Sequence, residues 1–255
     1  LAKFATISQT VCTKQICNLM KGKLYLIPNI LGESPVELVI PHGVISIVCG
    51  LDHFIVENVR TARRYIRKLD SENPIDPLFF YTLHKPPSRE EMGSMASPLL
   101  KGTDMGLISE AGVPGIADPG EEIVQYAQRQ GVRVVPLTGP SSILLALMGS
   151  GLNGESFAFN GYLPIHSGDR IKKLRALEKK SRHEGQTQIF METPYRNDKL
   201  LSDILSHCMD DTHLCIASEI TTEREMIRTQ SIRDWKKKTP GLHKTPTIFI
   251  LSASG

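Results

Sequence analysis

No G-x-x-x-x-G-K-[ST] loop occurs in the 255 residues, which argues against a P-loop nucleotidase, and no G-x-S-x-G elbow, which argues against an α/β-hydrolase. The eight histidines are scattered, with no H-x-x-x-H pair inside a credible helix, so no metal site is expected. Cysteine is sparse. Cys12, Cys17, Cys49, Cys208 and Cys215 are odd in number and show no C-x-x-C spacing, which argues against a disulfide framework or a zinc site and for a reducing compartment. Neither sign of charge dominates: the net charge of +3 permits an anionic partner without demanding one. Apolar runs are too short to span a bilayer, and the N-terminal segment makes a poor signal peptide. A cytoplasmic protein with no membrane partner is therefore expected. Internal repeats and low-complexity tracts are absent.

What is present is a chain that is 40% hydrophobic, enough for a real core in one large or two small domains. The stretch Ile108–Gly120 (I-S-E-A-G-V-P-G-I-A-D-P-G) holds three glycines and two prolines between an apolar run, Met105–Ile108, and an amphipathic one, Glu121–Gln130. Such a stretch is neither strand nor helix interior. Gly112, Gly115 and Gly120 permit backbone angles and close approaches that a side chain forbids. Asp118-Pro119-Gly120-Glu121 reads as a helix start with Asp as N-cap and Pro at the first position. A strand feeding a glycine-rich loop that opens a helix is how an α/β sheet offers backbone N–H groups to a ligand; the plainer reading is a tight, well-capped βα connection.

Along the first half, Lys23–Ile27, His53–Glu57, Leu78–Leu83, Asp104–Ser109 and Val132–Leu137 read as strands, the last of them buried. Helices are expected after Ser34 (a capping box), around Val44–Gly50, over Asn58–Leu69, from Ser88 to about Leu100 and over Glu121–Gln130. The alternation implies a mostly parallel sheet with helices on both faces. Thr138-Gly139-Pro140-Ser141-Ser142 opens an almost wholly apolar helix, Ile143–Met148, expected to be buried, whose N-terminus suits an anionic group. Gly149–Gly154 spells G-x-G-x-x-G, but it follows a helix and reads as a flexible connection. The second half offers strands at Phe157–Leu163, Gln186–Glu192, Thr212–Glu219 and Pro246–Ser252, with a further loop or strand over Thr221–Thr229. It also offers a basic helix over Ser167–Glu184, a helix from Thr193-Pro194 through Cys208 and a short helix over Ser231–Lys238, with more antiparallel options than the first half. The domain reading is 1–21 an N-terminal extension, 22–138 an N-terminal α/β domain and 139–255 a C-terminal α/β domain.

Several segments resemble, in order, the tetrapyrrole methylase superfamily, most closely its ribosomal RNA small subunit methyltransferase I branch. Ile108–Gly120 resembles D-A-G-x-P-x-I-x-D-P-G, with Glu110 in place of Asp. Val56–Arg60 with Arg63 is similar to A-E-D-T-R, with Asn58 for Asp and Val59 for Thr; His84 matches the histidine of S-Y-H-E. Thr138–Ser142 resembles P-G-P-S-A, Phe159–Pro164 resembles F-x-G-F-L-P, and Phe190–Arg196 resembles Y-E-S-P-H-R. Ser218–Thr221 is more loosely similar to T-K-E-F-E. The family's T-P-I-G-N-L loop is reordered here into Ile27–Gly32. The resemblance covers about Lys23 to Leu251.

The resemblance implies two α/β domains with a cofactor cleft between them, a homodimer, and S-adenosylmethionine bound in the cleft. Gly112, Val113, Pro114, Ile116, Ala117 and Asp118 would supply one wall. Ser141 and Ser142 would hold another part, and Tyr162, Leu163, Met191, Pro246 and Thr247 would close the pocket; for each, core packing or capping is the competing role. A ribose hydroxyl acceptor benefits from a nearby base. Glu57 is the first candidate, with an ion pair to Arg60 or Arg63 as its alternative role, and Glu192 and His84 stand behind it. Arg60, Arg63 and Arg196 would contact RNA phosphates or else form surface ion pairs. The resemblance thus implies an RNA methyltransferase. The other readings are a methyltransferase for a tetrapyrrole or another small acceptor, and a non-catalytic ligand-binding protein.

Overall fold

The computed structural model describes residues 21–70, 76–83 and 88–253. His84 and the N-terminal residues 1–20 lie outside them.

Five parallel strands form the first sheet: β1 (Lys23–Ile27), β2 (His53–Val56), β3 (Phe79–Thr82), β4 (Met105–Ile108) and β5 (Arg133–Pro136), in the order β3-β2-β4-β1-β5. Alternate side chains go to opposite faces. Ile27, Phe54, Val56 and Ile108 pack under α1 (Val36–Val39), α2 (His42–Cys49) and α3 (Val59–Leu69), while Leu24, Ile55, Met105 and Leu107 pack under α4 (Arg89–Leu100) and α5 (Glu121–Arg129). Asn58 caps α3, its Oδ1 accepting from the Arg60 N–H at 2.9 Å. Ser88 and Glu91 close a full capping box on α4.

The second sheet is mixed, ordered β6-β7-β10-β8-β9 from β6 (Phe157–Tyr162), β7 (Thr187–Met191), β8 (His213–Ser218), β9 (Met226–Ser231) and β10 (Thr247–Ser252). Only β6 and β7 pair in parallel; β7-β10-β8-β9 are antiparallel. One face is covered by α7 (Ser167–Glu184), α8 (Asn197–His207) and α9 (Ile232–Lys237), the other by α6 (Ser142–Ser150). Arg170 of α7, 1% exposed, binds Asp203 of α8 and donates to the Pro164 and Ile165 carbonyls, fixing the chain that leaves β6.

Six expectations are corrected. The Ser34 capping box does not form: Pro35 is the N-cap of α1, and the Ser34 hydroxyl donates instead to the Thr221 carbonyl at 2.5 Å, clasping the two sheets' loops together. Asp118 does not cap α5; Gly120 does, at φ +122°, where a Cβ would fall 2.7 Å from Leu107. β5 is an edge strand whose ends, Arg133 and Pro136, are exposed, because only β1 pairs with it. α6 continues through Gly149 to Ser150 and stops at Gly151 in the left-handed region, so the glycine run begins inside the helix. Its outward side chains Leu144 and Met148 are 50% and 78% exposed, because the second sheet covers one flank alone. Thr193 makes no side-chain cap: a 3-10 turn, Pro194–Arg196, precedes α8.

Candidate active site

The carboxyl ends of the adjacent strands β1 and β4 carry the loops that face the second sheet, the usual place for a ligand on an open parallel sheet. Asn29, 5% exposed, staples these loops together. Its backbone exchanges hydrogen bonds with Gly112 at 2.7 and 3.1 Å, and its Nδ2 donates to the Ser109 carbonyl at 2.8 Å and the Glu110 carbonyl at 3.1 Å. The Ser109 hydroxyl donates to the Gly112 carbonyl at 2.9 Å. Tyr65 of α3 donates to the Pro28 carbonyl at 2.6 Å, and burial raises its pKa. The β4 loop then turns through Gly112 (φ +71°), Gly115 (φ +77°) and Ala117 (φ +61°). Alanine seldom occupies that region and stays there only where its surroundings dictate it.

Between this loop and the second sheet lies a cavity of about 280 Å³. Ile116, Ala117 and Asp118 form one side, with Leu31, Gly32 and Ala111. Ser142 and Ile143, at the start of α6, and Tyr162 also contribute. The floor is a row across three strands: Met191 of β7 pairs with Ile248 of β10, which pairs with Ala217 of β8. Glu192, Pro194, Glu219, Ile220, Thr222, Pro246 and Thr247 complete the lining.

Of the expected cofactor residues, Ile116, Ala117, Asp118, Ser142, Tyr162, Met191, Pro246 and Thr247 therefore meet at one cavity. Gly112, Val113, Pro114, Ser141 and Leu163 lie outside its lining. Gly112 is taken up by the bridge to Asn29, Ser141 is the N-cap of α6, and Leu163, 2% exposed, belongs to the core beneath α7 and α8. Sequence reasoning missed Ala217 and Ile248, whose signal was the cross-strand register with Met191, and Glu219 and Ile220, which sit in the loosely matched Ser218–Thr221 segment.

The carboxylate candidates separate. Glu192 lines the cavity, is 4% exposed, and accepts through Oε1 from the Thr193 N–H at 2.7 Å and Arg196 Nη2 at 2.5 Å. Its Oε2 is buried with no hydrogen-bond partner, an arrangement that invites a donor from a ligand. The hydrogen bond to Glu192 raises the Arg196 pKa. Glu57, half-buried at the end of β2, lies outside the cavity lining. Arg60 is exposed on α3, and the Arg63 guanidinium stands 5.3 Å from the centroid of the Phe80 ring. Both belong to the first half, whereas Arg196 is ion-paired at the second sheet.

A sulfonium nucleoside fits this chemistry. The charged residues in the lining are Asp118, Glu192 and Glu219; among the described residues no Lys or Arg lines it, and the remaining walls are mostly apolar. Among the described residues no group of three or more His, Cys, Asp or Glu side chains is placed to hold a metal ion. No helix among them is long and apolar enough to cross a membrane.

Comparison with known proteins agrees with the geometry. The sequence model of the family described as Tetrapyrrole (Corrin/Porphyrin) Methylases matches residues 52–235. A ribosomal RNA small subunit methyltransferase I of Vibrio cholerae is 31% identical over 205 residues, covering 80% of this chain and 67% of the relative. The protein of that name from Pseudomonas aeruginosa is 34% identical over 182 residues, covering 70% of this chain and 61% of the relative. Among solved structures, diphthine synthase superposes with a TM-score of 0.64 at 13% identity, over 90% of this chain and 89% of that one. Uroporphyrin-III-C-methyltransferase from Thermus thermophilus gives 0.55 at 16% identity, over 91% and 93%. At such identities these two speak for the fold alone.

Proposed function

The chain belongs to the tetrapyrrole methylase family, in the branch of the ribosomal RNA small subunit methyltransferases I, and from that membership we propose that it is an S-adenosylmethionine-dependent methyltransferase acting on small-subunit ribosomal RNA, at a ribose hydroxyl. The observation that carries this reading is the acidic, apolar-walled cavity between the β4 loop and the second sheet. When bound, the cofactor supplies a methyl group already activated on a sulfonium sulfur. The chain then has to position the acceptor and accept its proton. Ile116 and Ala117 would hold the nucleoside, Ile248 and Met191 would exclude water from the floor, and Ser142 would offer its hydroxyl at the start of α6. Glu192 Oε2 would accept the proton of the acceptor hydroxyl, while Oε1 stays tethered to Arg196.

The same reading divides the described chain into two domains (22–138 and 139–255), supported by the distribution of strands between the two sheets. It takes the cytoplasm as the setting and a homodimer as the assembly, supported by the outward apolar pair Leu144 and Met148. Calorimetry is expected to give one cofactor per chain. Tritiated methyl groups are expected to enter small ribosomal subunits from a strain lacking this methylation. Absent cofactor binding, or transfer to uroporphyrinogen with none to the subunits, overturns the reading.

A further inference from the structure

A second cleft, of about 460 Å³, opens beside the first and shares Glu219 with it. Ser218, Arg224, Met226 and the 240–245 loop line it. That loop is held firmly: the Leu242 N–H donates to Asp198 at 2.6 Å, Asn197 donates to the Thr245 carbonyl at 2.6 Å, and the Lys244 N–H donates to the Pro194 carbonyl at 3.0 Å. The last bond fixes Lys244 at φ +60°, a region an L-residue enters at a cost. So held, its ammonium lies 5.8 Å from the centroid of the Tyr195 ring. Tyr195 is 70% exposed and meets His243 edge-on at 6.0 Å. Arg224, its side chain 81% exposed, pairs with Glu219 at 3.1 Å at the junction of the two clefts.

Tyr195 is thus an exposed aromatic ring with one ammonium near its face, beside the first cavity, and contributes little to packing. The arrangement has the composition of a single-strand nucleic-acid seat, in which a base stacks on the ring and cations follow the backbone. The arginines of α3 form a helix face, with Arg63 placed over Phe80. We propose that this cleft, together with the Tyr195 ring that lies outside its lining against His243 and Lys244, seats a single-stranded segment of the RNA beside the target nucleotide, with a base on Tyr195 and phosphates at Lys244 and Arg224. The proposal rests on the RNA methyltransferase reading and adds the surface that takes the substrate.

The test uses the full chain, anisotropy of a fluorescein-labelled single-stranded RNA of mixed sequence at several salt concentrations, and calorimetry with S-adenosylmethionine. Tyr195→Ala is expected to weaken RNA binding by about five- to a hundredfold, whereas Tyr195→Phe, which keeps the stacking face, stays within roughly twofold of the parent. Lys244→Gln is expected to reduce the slope of log affinity against log salt by about 0.7. All three variants keep the parent's cofactor affinity. RNA binding unchanged in Tyr195→Ala, or no RNA binding by the parent, overturns the proposal. Loss of cofactor along with RNA assigns the ring a structural role and overturns it too. A parent that binds RNA through Tyr195 but no cofactor leaves the cleft standing and sinks the reading of the cavity.

Discussion

The two sheets build their shares of the site by different means. In the parallel sheet every strand ends on the same side, so one loop delivers Ile116, Ala117 and Asp118 as neighbours in sequence and shapes them through backbone angles. In the mixed sheet the lining comes from side chains on three strands, with Met191, Ala217 and Ile248 aligned by register. A loop adapts its backbone to a ligand, whereas a pleated floor offers fixed side chains at fixed spacing. The first half thus shapes its side of the cavity by a turning main chain. The second contributes the buried carboxylate and the exposed ring.

Substitutions in the two halves sharpen this contrast. The largest effect is expected from Arg170→Met, which strands Asp203 and frees the chain after β6; breaking such a buried pair costs about 3–5 kcal/mol, read as a lower urea midpoint. Next come the carboxylates. Glu192→Gln keeps the shape but removes the proton acceptor, and methyl transfer at saturating cofactor is expected to fall about 10²–10⁴-fold. Glu57→Gln should change it by less than roughly tenfold if the reacting carboxylate belongs to the second half. The reverse order in single-turnover assays would break the comparison. Gly139→Ala places a Cβ 2.2 Å from the Pro28 ring, where the loops after β1 and β5 touch. Overpacking of that kind costs about 1–3 kcal/mol, and here it is expected to weaken cofactor binding in calorimetry. The smallest effect is at Asn58→Ala, which removes the cap of α3 for about 1 kcal/mol in thermal denaturation.

What could be read from the sequence follows the same division. Elements of the first half were legible where an apolar run is bracketed by a true cap or a glycine stop, as at Ser88-Glu91 and Gly131. The superfamily resemblance, with its two α/β domains, was legible because its loops are consecutive motifs. The role of Ser34 was not, because its partner Thr221 is far along the chain, and a capping-box pattern says nothing about competing tertiary acceptors. Ala217 and Ile248 stayed hidden for the same reason: strand pairing, which periodicity does not reveal, puts them beside Met191. Leu163 read as a pocket residue from its motif, but it follows an irregularity within β6, where Gly161 stands at φ +62°, and packs into the core while Tyr162 lines the cavity. The exposure of α6 escaped because an apolar helix signals a covered surface without saying by what.

The bond from Ser34 to Thr221 has a mechanical corollary. It joins the loop that leaves β1 to the loop that precedes β9, and Gly32 lies so close to Thr222 that a single added carbon would stand 2.7 Å from its methyl group. The bond therefore ties the two halves together where Gly32 and Thr222 line the cavity, through a serine hydroxyl that the sequence had marked only as the start of a helix.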